Sequence, residues 1–423
     1  MGQTPKGLDP TRSPLHFFGA EVRRLRQQLG LSQADLGQLL FQHKDLVRKI
    51  EVAERRPSRE FVERCDEVLG ADGTLRRMWP MLARQRLLRA SPEPGASARA
   101  VEYRSEATDR PVLDWLLTSP NDARRLRASE DTTSPAVERL KQLRDIDHER
   151  GAGETYPEVA DYLGHDLEAL ITCAPHIATG FLELAGYETV DLGSDGLAQQ
   201  HYLRALDIVT ASGDHLYGGY LIAVSLAHLA LHCGDPDQAA RMATAALRGT
   251  EHQTSPAVRA AFRAVLARAD ARRGDRAACF SSLLLVEADL SRSDPADEPA
   301  WISYFGEADL ADEKAHCFFD LGLHDLAQRE ASRAIELLEP TRVRRLAIDT
   351  ALHASSLARS HEIEQACAVG RHAVDHAANT TSFRSSHRIG LMMAELQHHA
   401  GLPAVRDLSE YVRTTLPPVI TAK

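Results

Sequence analysis

Aromatic side chains are scarce in this chain: Phe, Trp and Tyr together make up 5% of its 423 residues. Strands draw on aromatic and β-branched residues for their packing. The shortage, set against abundant alanine, therefore points away from sheet and toward closely packed helices. Lysine is nearly absent too, with arginine supplying all but six of the 50 basic residues. The six cysteines, Cys65, Cys173, Cys233, Cys279, Cys317 and Cys367, lie far apart and form no Cys-x-x-Cys pair. That spacing indicates neither a disulfide framework nor a zinc knuckle, and suits a reducing compartment. Long apolar runs are lacking as well. The longest uncharged stretch, His215 to Gly234, is interrupted by Ser225, His228 and His232 and reads as a buried helix rather than a membrane span. The polar start, Met1 to Pro14, has no apolar segment of the secretory kind, so a cytoplasmic protein without a membrane partner is expected.

Catalytic signatures are missing in turn. Gly151-Ala152-Gly153 opens like a dinucleotide loop, but Tyr156 stands where a third glycine belongs and no strand precedes it. There is no lysine-bearing phosphate loop and no Gly-x-Ser-x-Gly. Among the 19 histidines, His228 and His232 beside Cys233, and His372 and His376, have the i,i+4 spacing that brings two imidazoles to one helix face. Neither pair has a complete ligand set, so packing or surface histidine is the reading. Neither an enzyme nor a bound cofactor or metal is expected.

Charge is present but unevenly placed. The chain carries −10 overall, yet residues 15–90 hold 15 Lys+Arg against 10 Asp+Glu and residues 1–14 add a surplus of one, which leaves −16 for residues 91–423. A basic end on an acidic body suits nucleic-acid contact at one end only.

Within that basic end, Phe18, Val22, Leu25 and Leu29 are spaced four, three and four, the stripe of one helix, before Gly30 stops it. Ser32 is placed to N-cap a second helix with Leu36, Leu39 and Leu40 inward, and a third resumes with Leu46, Val47 and Ile50. Two short helices so close in sequence must cross at a tight turn to bury both stripes, the helix-turn-helix arrangement. Pro57 and Ser58 begin a fourth helix with Phe61, Cys65 and Val68 inward, and Leu75, Met78, Trp79 and Leu82 suggest a fifth.

The text Val22-Arg23-Arg24-Leu25-Arg26, Gly30-Leu31-Ser32-Gln33-Ala34-Asp35-Leu36, Leu46-Val47-Arg48-Lys49-Ile50-Glu51 and Arg55-Arg56-Pro57-Ser58 resembles the Xre/Cro-like helix-turn-helix regulators, with four blocks in order. The resemblance implies a five-helix, lambda-repressor-like domain over residues 15–90 whose third helix reads bases. It also implies that Gln33 touches the DNA backbone or a base edge. By position the candidates are Gln33, His43, Lys44, Asp45, Arg48 and Lys49. Arg48 is the best base reader, because a guanidinium grips guanine O6 and N7 with two bonds. Lys44, Arg23 and Arg24 suit phosphates. Asp45 either accepts from cytosine N4 or caps the third helix. The plainer alternative for each charge is a solvated helix face. One departure is Phe41, in the turn where such regulators usually carry glycine; a left-handed backbone there costs a residue with a side chain roughly 1–2 kcal/mol.

Residues 91–100 carry two prolines, a glycine and small residues and read as a linker, and the segment to residue 134, with Trp115 in an apolar patch, as a transition of no assigned function. From residue 135 to 418 helical patterns recur. Turns at Gly193, Gly234, Gly274, Gly322 and His361 are 41, 40, 48 and 39 apart, and mostly small residues stand five, nine and twelve positions after each and seven before it. This register resembles the tetratricopeptide repeat, a stacked helical hairpin that forms an α-solenoid with a concave binding face. Across nearly its whole length the chain resembles the tetratricopeptide-bearing Xre-type regulators of high-GC actinobacteria, and Trp301 to Leu310 is typical of their array. The resemblance implies an all-α homodimer bound to a double-stranded operator of inverted-repeat form. Its array would dimerise or sense a peptide, small-molecule or protein effector. His215, Tyr217 and Tyr220, with Trp301, Tyr304, Phe305, Glu307 and Asp309, are the effector candidates, an aromatic and acidic set suited to a cationic or amphipathic peptide; simple packing between hairpins is the alternative. The acidic body and Phe41 leave a second reading open, a repeat adaptor that binds a protein partner and touches DNA weakly.

Overall fold

The computed structural model describes residues 14–53, 55, 57, 59–71, 73–78, 82, 102–118 and 135–416, and every regular element among them is helical. The chain divides into two compact units, Met1–Ala96 and Ser97–Lys423.

In the first unit, α1 (Pro14–Gln28), α2 (Gln33–Leu39), α3 (Lys44–Glu51) and α4 (Arg59–Val68) are followed by a helical stretch at 74–78. Their shared core holds Phe18, Val22, Leu36, Leu40, Val47, Ile50, Phe61, Cys65, Leu75, Met78 and Leu82. Two stripe positions fall outside it: Leu29 and Leu39 are 53% and 49% exposed. Leu29 lies past the end of α1, and a helix that turns residues 36 and 40 inward carries residue 39 round toward water. Trp79, Arg56 and Ser58 lie outside the described residues.

The second unit opens with a strap, a 3₁₀ turn at Ser105–Thr108 running into α5 (Asp109–Leu117). The sequence offered no role for this stretch, yet it docks on the array. Trp115 is fully buried, stacks on His215 with ring centroids 4.3 Å apart, and donates from Nε1 to the His215 carbonyl at 3.1 Å. Gly218, Gly219 and Gly249 make its socket: a Cβ on Gly218 or Gly249 would collide with the indole, and one on Gly219 would stand 3.4 Å from it and collide with Thr250. Gln199 clamps the other end, its side-chain amide accepting from Arg104 N at 3.0 Å and donating to Arg104 O at 2.7 Å.

Three helices, α6 (Pro135–Arg150), α7 (Ala152–His165) and α8 (Leu167–Cys173), lead into five hairpins. The first pairs α9 (Pro175–Asp191) with α10 (Asp195–Ser212). The second joins a continuous helix, made of α11 (His215–Tyr220), a π-helical stretch Leu221–Leu226 and α12 (Ala227–His232), to α13 (Pro236–Gly249). The third, fourth and fifth are α14 (Pro256–Arg272) with α15 (Arg276–Leu290), α16 (Glu307–Asp320) with α17 (His324–Leu337), and α18 (Val343–Arg359) with α19 (Ile363–Ala378). Last come α20 (Phe383–Leu396) and α21 (Pro403–Thr415).

Gly193, Gly234, Gly274, Gly322 and His361 all turn their hairpins with positive φ, between 67° and 84°. Ala227, Ala267, Ala315 and Ala354, seven residues before their turns, and Ala198, Ala239, Cys279, Ala327 and Ala366, five after, are each at most 1% exposed. Small side chains let the two helices of a hairpin touch closely. The first hairpin shows the rule by inversion: it carries Tyr202 where the second and fourth carry alanine, and Gly186 opposite, where any Cβ would strike the tyrosine ring.

The solenoid-like unit curls until its late helices meet its early ones. Arg344 of α18 reaches Asp147 of α6 at 2.7 Å and Asp191 of α9 at 3.2 Å, and Thr381 N donates to Arg150 O at 2.9 Å. Arg344 and Arg384 stack on the Tyr187 ring at 4.7 and 4.6 Å from its centroid. Against the cost of burial, these two guanidiniums hold the Asp191 carboxyl below its usual range.

Candidate nucleic-acid interface

α3 is held in place by a buried charge cluster rather than by apolar packing alone. Glu51, at its C-terminal end, is fully buried; Arg26 of α1 grips both carboxylate oxygens, from Nε at 2.5 Å and Nη2 at 3.0 Å. Arg26 Nη1 donates to Leu31 O at 2.7 Å, and Gln33, the first residue of α2, donates from Nε2 to Glu51 at 2.7 Å. One carboxylate thereby ties three helices together. Neither Arg26 nor Glu51 was singled out from sequence, although Arg26 falls four residues after Val22 on the apolar stripe, the position of an arginine that needs a buried acid.

The turn before α3 adopts the left-handed backbone that its sequence makes costly. Phe41 has φ of 55°, its ring is 83% exposed, and the Arg64 guanidinium of α4 lies 5.7 Å from the ring centroid. α2 begins with a reciprocal cap: Ser32 Oγ accepts from Asp35 N at 3.1 Å, and Asp35 accepts from Ser32 N at 2.8 Å. The Ser32 hydroxyl and backbone hold the Asp35 carboxyl below its usual range. The cap of α3 is His43, not Asp45: its Nδ1 accepts from Asp45 N at 3.3 Å.

With Val47 and Ile50 in the core, α3 turns His43, Lys44, Asp45, Arg48 and Lys49 to the exterior. The other candidates are placed differently. Gln33 is half-buried and engaged with Glu51, and Arg23 lies with Nε 3.6 Å from the same carboxylate. Arg24 is exposed and paired with Glu21 at 2.5 Å, which lowers the Glu21 pKa. An outward row of three cationic side chains, one guanidinium fork and two ammonium donors, preceded by an imidazole at the cap, can meet base edges and phosphates in one groove.

The effector candidates of the second unit separate into two places. Tyr217, Tyr220, Trp301 and Tyr304 come together: Tyr217 stacks on Tyr220 at 5.5 Å, Trp301 sits 5.3 and 5.0 Å from them, and the Tyr220 and Tyr304 hydroxyls are 3.3 Å apart. Tyr304 is 39% exposed. Phe305 is buried edge-on to Tyr304, Asp309 is ion-paired with Arg345 at 2.9 Å, and Glu307 is paired with Arg333 at 3.2 Å. His215 is elsewhere, under Trp115, with Nε2 3.1 Å from Gly249 O. Of the paired histidines, His228 meets Glu313 at 3.2 Å and His232 meets Asp195 at 3.5 Å.

A family model described as a helix-turn-helix domain matches residues 18–79, the helices of the first unit. No curated protein and no solved structure matches the chain. Among the described residues no helix is long and apolar enough to cross a membrane.

Proposed function

We propose that the chain is a sequence-specific DNA-binding transcriptional regulator of the Xre/Cro-like kind whose tetratricopeptide-like array dimerises and senses an effector. The observation that carries the first half is the outward row of His43, Lys44, Asp45, Arg48 and Lys49 on a helix locked to its neighbours through Glu51. A rigid recognition helix holds its side chains in register with base edges, so little ordering entropy is lost on binding. Arg48 and Lys49 supply the base and phosphate contacts, Lys44 a phosphate contact at the start of the helix. Gln33, held by Glu51, orients toward the duplex from a fixed amide.

The sensing half is supported by the cluster of the Tyr217, Tyr220, Trp301 and Tyr304 rings, with Tyr304 reached by solvent. The test of the whole reading is binding of fragmented genomic DNA by wild-type protein and by the Arg48→Ala/Lys49→Ala variant. A discrete inverted-repeat motif lost in the variant supports it. Equal binding by both removes the recognition-helix assignment.

A further inference from the structure

α5, the helix of the strap, buries one side and leaves the other bare. Val112 and Trp115 face the array, whereas Leu113, Leu116 and Leu117, at i, i+3 and i+4, form one ridge and are 53%, 37% and 75% exposed. A helix with nothing to meet on its outer side carries polar residues there. Three adjacent leucines in water mark an interaction surface.

α13 runs alongside in the same direction. Near the start of α5, Asp109 accepts from Gln238 Nε2 at 3.0 Å, and at its far end Trp115 and Leu116 lie against Gly249. Between α5, α13 and α14 the surface dips into a groove of about 570 Å³, lined by Leu116, Ala240, Thr244, Ala245 and Leu266. The small residues of α13 leave room there for side chains of another molecule, in a volume typical of binding clefts.

The charges of the groove do not balance. At one end Arg273 answers Asp237 at 2.9 Å and Asp270 at 3.3 Å, and on the strap Asp114 answers Arg110 at 3.6 Å. Arg241 and Arg248 of α13 are exposed and line the same groove. Arg241 donates from Nε to the neutral Gln238 amide at 2.9 Å and shares the field of Asp235, which already caps α13. Arg248 makes no hydrogen bond or ion pair among the described residues. Seven residues apart, the two arginines stand about 10.5 Å from each other along one face of the helix. In a body that carries −16 over residues 91–423, two such cations beside a leucine ridge fit an acidic partner and steer it to this face. A nucleic-acid backbone would leave the leucines in water.

We propose that the groove between α5, α13 and α14 docks an amphipathic, acidic helix of a partner protein. Its aliphatic side chains cover Leu113, Leu116 and Leu117, and two carboxylates seven residues apart meet Arg241 and Arg248. A helix fits better than an extended peptide, because the leucine ridge and the arginine row run side by side for two turns, and a helix carries adjacent apolar and acidic stripes at that spacing. Docking here is independent of DNA and of the Tyr304 cluster.

The experiment is selection of displayed random peptides of about 16 residues on the full-length protein, then anisotropy titration of the enriched peptides. Wild type is compared with Arg241→Gln/Arg248→Gln, Leu113→Ser/Leu117→Ser and Arg48→Ala/Lys49→Ala. Enriched peptides are expected to be helical when bound, with two acids seven apart beside an aliphatic stripe. They are expected to bind the arginine variant roughly tenfold or more weakly, the loss of charge-assisted bonds, and the leucine variant more weakly as well. Both variants change exposed residues and are expected to melt as wild type does. Arg48→Ala/Lys49→Ala is expected to bind unchanged, which separates this groove from acidic peptides drawn to α3. No enriched family, equal binding by the arginine variant, or loss only in the α3 variant overturns the proposal. Self-association of wild type that the leucine variant abolishes, read by sedimentation, would assign the face to a second copy and overturn it too.

Discussion

Glu51 ties α1, α2 and α3 together through a single carboxylate. Its carboxylate is out of water and satisfied by Arg26 and Gln33. Glu51→Ala leaves a buried guanidinium without its counter-charge, and the expected loss is about 3–5 kcal/mol, seen in urea titration as early unfolding of the first unit together with lost DNA binding. Glu188 in α9 is the opposite case. It is fully buried, neither carboxyl oxygen has a hydrogen-bond partner, and burial, with Asp147 beside it, pushes its pKa up to about 9 from an ordinary 4.5. Folding therefore favours the protonated form: its stabilising effect is whole below about pH 4.5 and is lost as pH rises toward 9. Glu188→Gln is expected to raise the melting temperature at pH 8 more than at pH 5 and to flatten the dependence between; an equal gain at both would place the shift elsewhere. At this scale the sequence was legible where a residue's role follows from its immediate neighbours, as with Ser32 at its cap or Val47 and Ile50 beside the outward Arg48 and Lys49. It was illegible where the partner lies far along the chain, as with Glu51 and Arg26 or Arg344 and Asp147, because spacing within one helix says nothing of which distant helix will face it.

Hairpin turns and the small-residue register were readable as elements because both obey local rules. A left-handed residue at each turn and small side chains at the closest approach recur at fixed offsets whatever surrounds them. Gly186 and Tyr202 test that register from within. Gly186→Ala is expected to cost about 1–3 kcal/mol by overpacking, and adding Tyr202→Ala, which restores the alanine-against-alanine pattern of the second and fourth hairpins, is expected to recover part of it. Purely additive losses in a double-mutant cycle would show that the two side chains do not compete for the same space. The strap was not readable, since its docking depends on three glycines and a carbonyl some 100 residues later. Trp115→Ala should cost about 3–5 kcal/mol, measured as the denaturation midpoint of the second unit. Helix α11 carries both the Trp115 socket, at Gly218 and Gly219, and the ring pair Tyr217 and Tyr220, so the strap and the aromatic cluster share one rigid element.

For the molecule as a whole, charge is partitioned as a DNA-binding regulator requires: a basic surplus in residues 15–90 and −16 in residues 91–423. The acidic body is repelled by a duplex, so affinity rests on the few cations of the first unit and should fall steeply with salt. The curl of the second unit brings α18 and α20 against α6 and α9 and joins charged side chains from these four helices, a juxtaposition that follows from superhelix geometry and not from any motif. The central claim, that α3 reads DNA sequence, is tested most directly by sequencing the genomic fragments retained by full-length wild-type protein and by Arg48→Ala/Lys49→Ala at the same salt. The expected result is one inverted-repeat motif in the wild-type fraction and its absence from the variant's, with helicity unchanged; the same motif recovered by both, or fragments without a shared motif from the wild type, would contradict it.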